Sequence, residues 1–208
     1  MAPSFRRSSG GSQDWRLEIG KNECNDMLEL PRAAPGFDDP IGLLRACHTR
    51  IADRLDLLER LPGYLDTHGA DASAQAAARR VLDYFDKAAA HHHEDEEHGL
   101  FPLLRAAESR PGWQPELPAV LDRLAAEHGT LAQDWARLRP ALDALARGEC
   151  AADLRCEALI AAYRQHMALE DEQVLPLAER LLDASERAAL GASMQARRGI
   201  GSTREQSG

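Results

Sequence analysis

HHEDEEHGLFPLL at residues 92–104 and HMALEDEQVLPLA at residues 166–178 share one pattern, and this pattern decides the fold. In each segment a histidine is followed by a glutamate four residues later and by a proline ten residues later. A spacing of four places the imidazole and the carboxylate on one helix face, a turn apart. The repeat therefore predicts two helices with a polar pair on one face. The matched positions are His92, Glu96 and Pro102, and His166, Glu170 and Pro176.

Apolar residues at helical spacing around these segments predict four long helices. The first is predicted to begin at Asp39 and Pro40, a favourable cap and first-turn pair, and to end before Pro62 and Gly63. Pro140 is predicted to kink or shorten the third helix. The other three predicted ranges are roughly 71–106, 115–146 and 152–182, and a short fifth helix is predicted from Ser185 to about Ala196.

Short connections between amphipathic helices favour an all-α, antiparallel up-down four-helix bundle. Residues 1–36 are rich in Ser, Gly and Pro and are interpreted as a disordered N-terminal arm. Residues 37–182 are predicted to form the bundle, and residues 183–208 a short C-terminal helix with a flexible tail.

Composition excludes several function classes. The 208 residues carry a formal net charge of −9, which argues against a nucleic-acid or anionic-membrane partner because both favour a basic surface. The four cysteines form no Cys-x-x-Cys pair, and the first residues contain no apolar signal segment. A cytoplasmic protein with reduced thiols is the expectation.

The first and third predicted helices each carry one histidine within the apolar stripe. His48 lies between Leu44 and Ile51, and His128 lies between Leu124 and Leu131. With the two His–Glu pairs, six polar groups point toward one core, and burying each without a partner costs roughly 2–7 kcal/mol. A metal or a metal pair is the economical common partner, and imidazole with carboxylate suits Fe, Mn or Zn.

The chain thus reads as two similar hairpins, each of which supplies two histidines and one glutamate. This pattern resembles the hemerythrin-like, or HHE cation-binding, domain over about residues 37–182. The resemblance implies two iron ions (Fe²⁺/Fe³⁺) bridged by both glutamates and by an oxo or hydroxo group. The ligands that it implies are His48, His92, Glu96, His128, His166 and Glu170.

One position departs from the family pattern. Oxygen-carrying members have a fifth histidine one turn before the histidine of the third helix, and Leu124 stands there in this chain. Either one metal therefore keeps an open or water-filled place, or another residue fills it. This weakens an assignment as a reversible oxygen carrier.

Three alternatives remain open at this point. In the run His91-His92-His93, the pair His93 and Glu97 can replace His92 and Glu96; otherwise His91 and His93 lie beside the site or in solvent. Tyr163, one turn before His166, is a packing residue or a hydrogen-bond donor to a bound oxygen species. The acidic residues that flank the ligands are interpreted mainly as a solvated face, with hydrogen bonding to a ligand imidazole as the alternative. They are Asp95, Glu97, Asp171 and Glu172.

The function expected from this pattern is a non-haem di-iron protein. It binds or senses oxygen, nitric oxide or peroxide, or it responds to iron supply. The alternatives are an enzyme that reduces peroxide or nitric oxide and a protein that stores iron or delivers it for iron–sulfur repair. A small diatomic or peroxide ligand is the expected partner, and the sequence points to no protein partner.

Overall fold

The computed structural model describes residues 35–149 and 154–200. The interpretation of residues 1–34 and 201–208 as disordered lies outside these ranges, as do Cys24 and Cys150. The described residues form five helices, and none of these helices combines the length and apolar character that a membrane crossing needs. They are α1 (Pro40–His68), α2 (72–106), α3 (Leu117–Ala146), α4 (157–181) and α5 (Ala184–Arg197).

The helices α1 to α4 form the predicted all-α bundle. Each packs against the next, and α4 closes the bundle against α1. The C-terminal helix α5 lies against α1 and α2. The side chain of Asp39 caps α1 by accepting from the N–H of Gly42, and Asp71 caps α2 in the same way through Ala74, because a carboxylate satisfies first-turn donors.

The apolar core is divided into two halves by a layer of polar side chains. Along α1, Leu44 belongs to one half and Ile51 to the other; along α3, Leu124 and Leu131 are divided in the same way. The histidine between each pair, His48 or His128, therefore lies at the boundary, where all four helices contribute to the interior.

The predicted end of α1 at Leu61 is wrong, because the helix continues through Pro62 to His68. Proline has no N–H, so the carbonyl of Leu58, one turn earlier, loses its helical partner. The thiol of Cys156 on the last residue before α4 donates to this carbonyl at 3.8 Å. A partner from another part of the bundle therefore compensates for the proline. The α3 helix likewise runs past Pro140 to Ala146, so that proline does not end it early.

Wide, π-type turns interrupt α2 and α4 at matched places, Glu96–Leu100 and Glu170–Val174. The N–H of Phe101 donates to the carbonyl of Glu96, and the N–H of Leu175 donates to that of Glu170, five residues back in each case. A proline follows each of these donors and has no N–H for the ordinary ladder. The equal spacing between glutamate and proline in the two segments thus marks a wide turn, a feature common at functional sites.

Candidate metal centre

The structure brings all six sequence-predicted residues together in the polar layer. Their exposed fractions range from 0 to 4%. His48 comes from α1, His128 from α3, and the two His–Glu pairs come from α2 and α4. Their role as metal ligands stays a prediction, and their atoms fall into two groups that share both glutamates.

The first group consists of His48 and His92 with one oxygen of each glutamate. The Nε2 atom of His48 lies 3.1 Å from Oε2 of Glu170, and Nε2 of His92 lies 3.3 Å from Oε1 of Glu96. The four potential ligand atoms lie within 4.8 Å of one another. Two imidazoles and two carboxylate oxygens can therefore hold one cation.

The second group contains three histidines, His93, His128 and His166. The Nε2 atoms of His128 and His166 are 3.0 Å apart. Nε2 of His128 lies 3.4 Å from Oε2 of Glu96, and Nε2 of His166 lies 3.3 Å from Oε1 of Glu170. His128 and His166 therefore group with one oxygen of each glutamate, and His93 groups separately with the same two histidines.

Each glutamate directs its two oxygens to different groups. Glu96 turns Oε1 to His92 and Oε2 to His128, while Glu170 turns Oε2 to His48 and Oε1 to His166. This is the arrangement of two carboxylates that bridge a metal pair. It also repeats the internal symmetry of the sequence, because corresponding residues of α2 and α4 face one another.

The distances and the lack of other partners fit metal ligation. Neighbouring ligands in an octahedron lie about 3.0 Å apart when the metal–ligand bonds are near 2.1 Å, which matches the spacings above. Buried ligand atoms in this layer have no hydrogen-bond partner, and uncompensated burial of such atoms is expensive. They are Nε2 of His48, His92 and His93 and all four oxygens of Glu96 and Glu170.

His93 lies near His128 and His166, while His92 groups with His48 and the glutamates, so the structure brings both adjacent histidines to the candidate centre. Leu124, at the position of the family's fifth histidine, is fully buried in the apolar core. His128 is therefore the one histidine that α3 supplies to the polar layer. A wide turn at Phe85–Ala89 changes the helical register, and the buried face continues from Phe85 to Ala89. After that shift, His92 and His93 both face the polar layer. Two features of the sequence indicate that His93 also faces this layer: the run of adjacent histidines, and the leucine in place of the family's fifth histidine.

Three carboxylates hold the outer nitrogens of the ligand imidazoles. The Nδ1 atom of His48 lies 3.0 Å from Oδ1 of Asp171, and that of His128 lies 2.6 Å from Oε1 of Glu97. These two contacts support the hydrogen-bonding alternative of the sequence analysis. The third carboxylate, Glu127, contacts Nδ1 of His166 at 3.0 Å and was not anticipated. Such contacts fix the ring orientation and direct Nε2 toward a metal.

The pKa values of the buried histidines differ widely. Although burial opposes protonation, the carboxylates of Asp171 and Glu170 raise the pKa of His48 to about 9. Burial lowers the pKa of His92 to about 3 and that of His93 to about 2. The last two imidazoles are therefore neutral at pH 7 and present free lone pairs, which metal binding requires.

The two glutamates differ in the metal-free protein. Burial, reinforced by the charge of Glu170, raises the pKa of Glu96 well above its usual range. Burial also opposes ionisation of Glu170, but the imidazoles of His166 and His48 beside its oxygens hold its pKa well below the usual range. Two carboxylates in one dry layer do not readily ionise together unless cations are added.

The interpretation of Asp95 as part of a solvated face is wrong. Its side chain is fully buried, and it receives Nε of Arg197 at 2.7 Å and Nη2 of Arg198 at 2.6 Å. Both arginines lie at the end of α5, which explains the missed contact, since a sequence does not show long-range ion pairs. Asp95 therefore joins α5 to the helix segment directly before Glu96. Glu172, in contrast, is exposed as expected.

Comparison with known proteins agrees with this geometry. The profile of the hemerythrin HHE cation binding domain matches residues 39–178, which include all the ligand positions described above. An uncharacterized protein of Haemophilus influenzae is 31% identical over 174 residues, covering 82% of this chain and 96% of the relative. Matched over most of its length by the family profile, and carrying the paired His–Glu segments in one buried cluster, the chain belongs to the hemerythrin HHE cation-binding domain family.

Proposed function

We propose that this protein is a non-haem di-iron protein that binds dioxygen, nitric oxide or peroxide. The family membership supports a bound cation, and the mixture of imidazole and carboxylate ligands suits iron. His48 and His92 hold one iron, His93, His128 and His166 hold the other, and Glu96 and Glu170 bridge them, with an oxo or hydroxo group as the third bridge.

The unequal number of histidines in the two groups is the observation that carries the proposal. His93, His128 and His166 with one oxygen of each glutamate would offer five ligand atoms to one iron, whereas His48 and His92 with the other two oxygens would offer four. An octahedral ion would therefore keep one more open place on the side of His48 and His92. A small ligand would take this place, while Asp171 holds His48 from its outer nitrogen.

Burial restricts the size of this ligand. His48 is 4% exposed and His92 is fully buried, so a bulky substrate cannot reach the open place without moving a helix. Diatomic gases and peroxide are small enough to pass between packed side chains. When bound, the iron pair would supply one- and two-electron chemistry; the protein supplies a buried polar layer and fixed imidazoles.

Anaerobic titration with ferrous iron, followed by exposure to air or nitric oxide, tests this function. We expect about two irons per chain and a visible absorption change that Glu170→Ala abolishes, because this variant loses a bridge. Glu172→Ala, an exposed neighbour, serves as the matched control. Absence of iron, or a single tightly bound zinc, would overturn the di-iron proposal. Repeated consumption of peroxide beyond one equivalent per iron pair would make the protein an enzyme.

Removing the carboxylate that holds His48 is expected to weaken iron binding. In Asp171→Asn the imidazole loses a charged partner at Nδ1, and loss of such partners typically costs about 10–100-fold in metal affinity. Competition with a coloured chelator measures the affinity. Glu172→Gln changes the same charge one residue away and leaves the affinity unchanged; equal weakening in both variants would mean that only overall charge matters.

A further inference from the structure

We propose that Trp135 is the outer end of an electron-transfer route that leads through Phe85 and Tyr163 to His93. The proposal rests on the iron-binding function above, and adds to it a specific path between the buried centre and the surface. The path crosses three helices, because His93 and Phe85 belong to α2, Tyr163 to α4 and Trp135 to α3.

Consecutive rings along this path are in contact range. The ring centroids of His93 and Tyr163 are 5.9 Å apart, those of Tyr163 and Phe85 are 5.3 Å apart, and those of Phe85 and Trp135 are 5.0 Å apart. Aromatic pairs interact at centroid distances of about 4.5–7 Å. Electronic coupling falls steeply with each gap through space, and an unbroken line of rings keeps each of these gaps short.

The two ends of the line have different surroundings. Tyr163 and Phe85 are each 3% exposed, whereas Trp135 is half-buried at the surface. The indole N–H of Trp135 donates to Oδ1 of Asp86 at 3.1 Å. Loss of an electron without a proton is easier from indole than from phenol or benzene. The carboxylate of Asp86 also pairs with Arg139, and it serves here as the acceptor that holds the indole N–H. The line thus ends at a group suited to lose an electron.

The opposite half of the core has no equivalent line. Phe101 lies 6.1 Å from His128 by ring centroids, but within the described ranges no further ring pair continues from Phe101 toward the surface. Trp113 packs against that half and is half-buried like Trp135, and its N–H bonds to the carbonyl of Leu104. Trp113 is therefore a matched tryptophan that lacks the connection.

The chemistry uses peroxide as the oxidant. Its O–O bond breaks with the uptake of two electrons and two protons, and two waters result. Where the bound centre would give only one of these electrons, Trp135 supplies the other, and the two protons come from solvent. The electron travels inward through Phe85, Tyr163 and His93, and the indole is left as a radical cation. No bond to the protein forms in this step; later reaction of the radical with dioxygen marks Trp135.

Peptide mass spectrometry after excess peroxide tests the route in the full-length, ferrous-loaded protein. We expect oxidation of Trp135 to exceed that of Trp113 several-fold, and the two to be equal in metal-free protein. Phe85→Leu interrupts the line and is expected to lower Trp135 oxidation to the level of Trp113. Should this variant fail to hold iron, Tyr163→Leu interrupts the next contact and has the same expected effect.

Two results would overturn the route. One is equal oxidation of both tryptophans in iron-loaded protein, which is what diffusing radicals produce at two half-buried sites. The other is strong Trp135 oxidation that persists in an iron-loaded Phe85→Leu or Tyr163→Leu protein. Each leaves the iron-binding proposal intact, because iron content and visible absorption are measured on the same samples. A wild-type protein without iron would instead overturn the proposed function.

Discussion

Replacement of His93 by leucine is expected to lower the iron content from about two per chain to one or none. The three-histidine group loses one imidazole, and the remaining pair of His128 and His166 is left with one ligand fewer. Leucine is close to histidine in size, so the helix keeps its packing. The loss therefore reports ligation and not unfolding.

His91, two residues before His93, provides the control for this prediction. It belongs to neither ligand group, and His91→Leu is expected to keep both irons and the absorption spectrum. Iron is counted after gel filtration, and helicity is followed by circular dichroism. A His93→Leu protein with a full complement of iron and an unchanged spectrum would show that His93 only packs against the centre.

His93 also shows where sequence reasoning fails. A regular helix of 3.6 residues per turn aligns His92 with Glu96 and turns His93 aside. The wide turn at Phe85–Ala89 changes this register, and no residue in that stretch predicts such a turn. Only the run of adjacent histidines and the leucine at position 124 indicated that His93 could face the centre. They did not decide between His92 and His93.

The positions that could be predicted are those determined by local spacing. His48 and His128 interrupt apolar stripes, and the paired His–Glu segments repeat with the same proline, so the bundle and six inward groups follow from periodicity alone. Pro62 and Asp95 were misjudged for one common reason. The groups that compensate for them are the Cys156 thiol, which bonds to the Leu58 carbonyl, and the guanidinium groups of Arg197 and Arg198. These groups are distant in sequence and become neighbours only in the folded bundle.

The helix α5 lies outside the residues matched by the family profile, which end at position 178. It is nevertheless held at both ends. At its start Glu186 completes a capping box and receives both terminal nitrogens of Arg110 at 2.6 and 2.8 Å. At its end Arg197 and Arg198 converge on Asp95. The contact at Asp95 is less accessible to solvent than the one at Glu186, since Asp95 is fully buried and the arginine side chains are 19 and 20% exposed.

Loss of both arginines is expected to be among the most destabilising surface-accessible changes in the chain. In Arg197→Leu/Arg198→Leu the carboxylate of Asp95 stays buried without a partner, and an uncompensated buried charge typically costs about 3–5 kcal/mol. Urea unfolding of the metal-free protein measures the loss. Arg45→Leu, which removes an exposed pair with Glu179, is the control and is expected to cost no more than about 1 kcal/mol.

Adding Asp95→Leu to the double variant separates charge from packing. If the unpaired carboxylate causes the loss, the triple variant recovers most of the free energy of unfolding, because replacing a whole buried ion pair by apolar groups is often neutral. If the triple variant stays as unstable as the double, the arginine stems act by packing against α2. Recovered stability with poorer iron retention would mean that the charged contact also holds the turn that carries Glu96, so that a helix beyond the matched domain contributes to the metal centre.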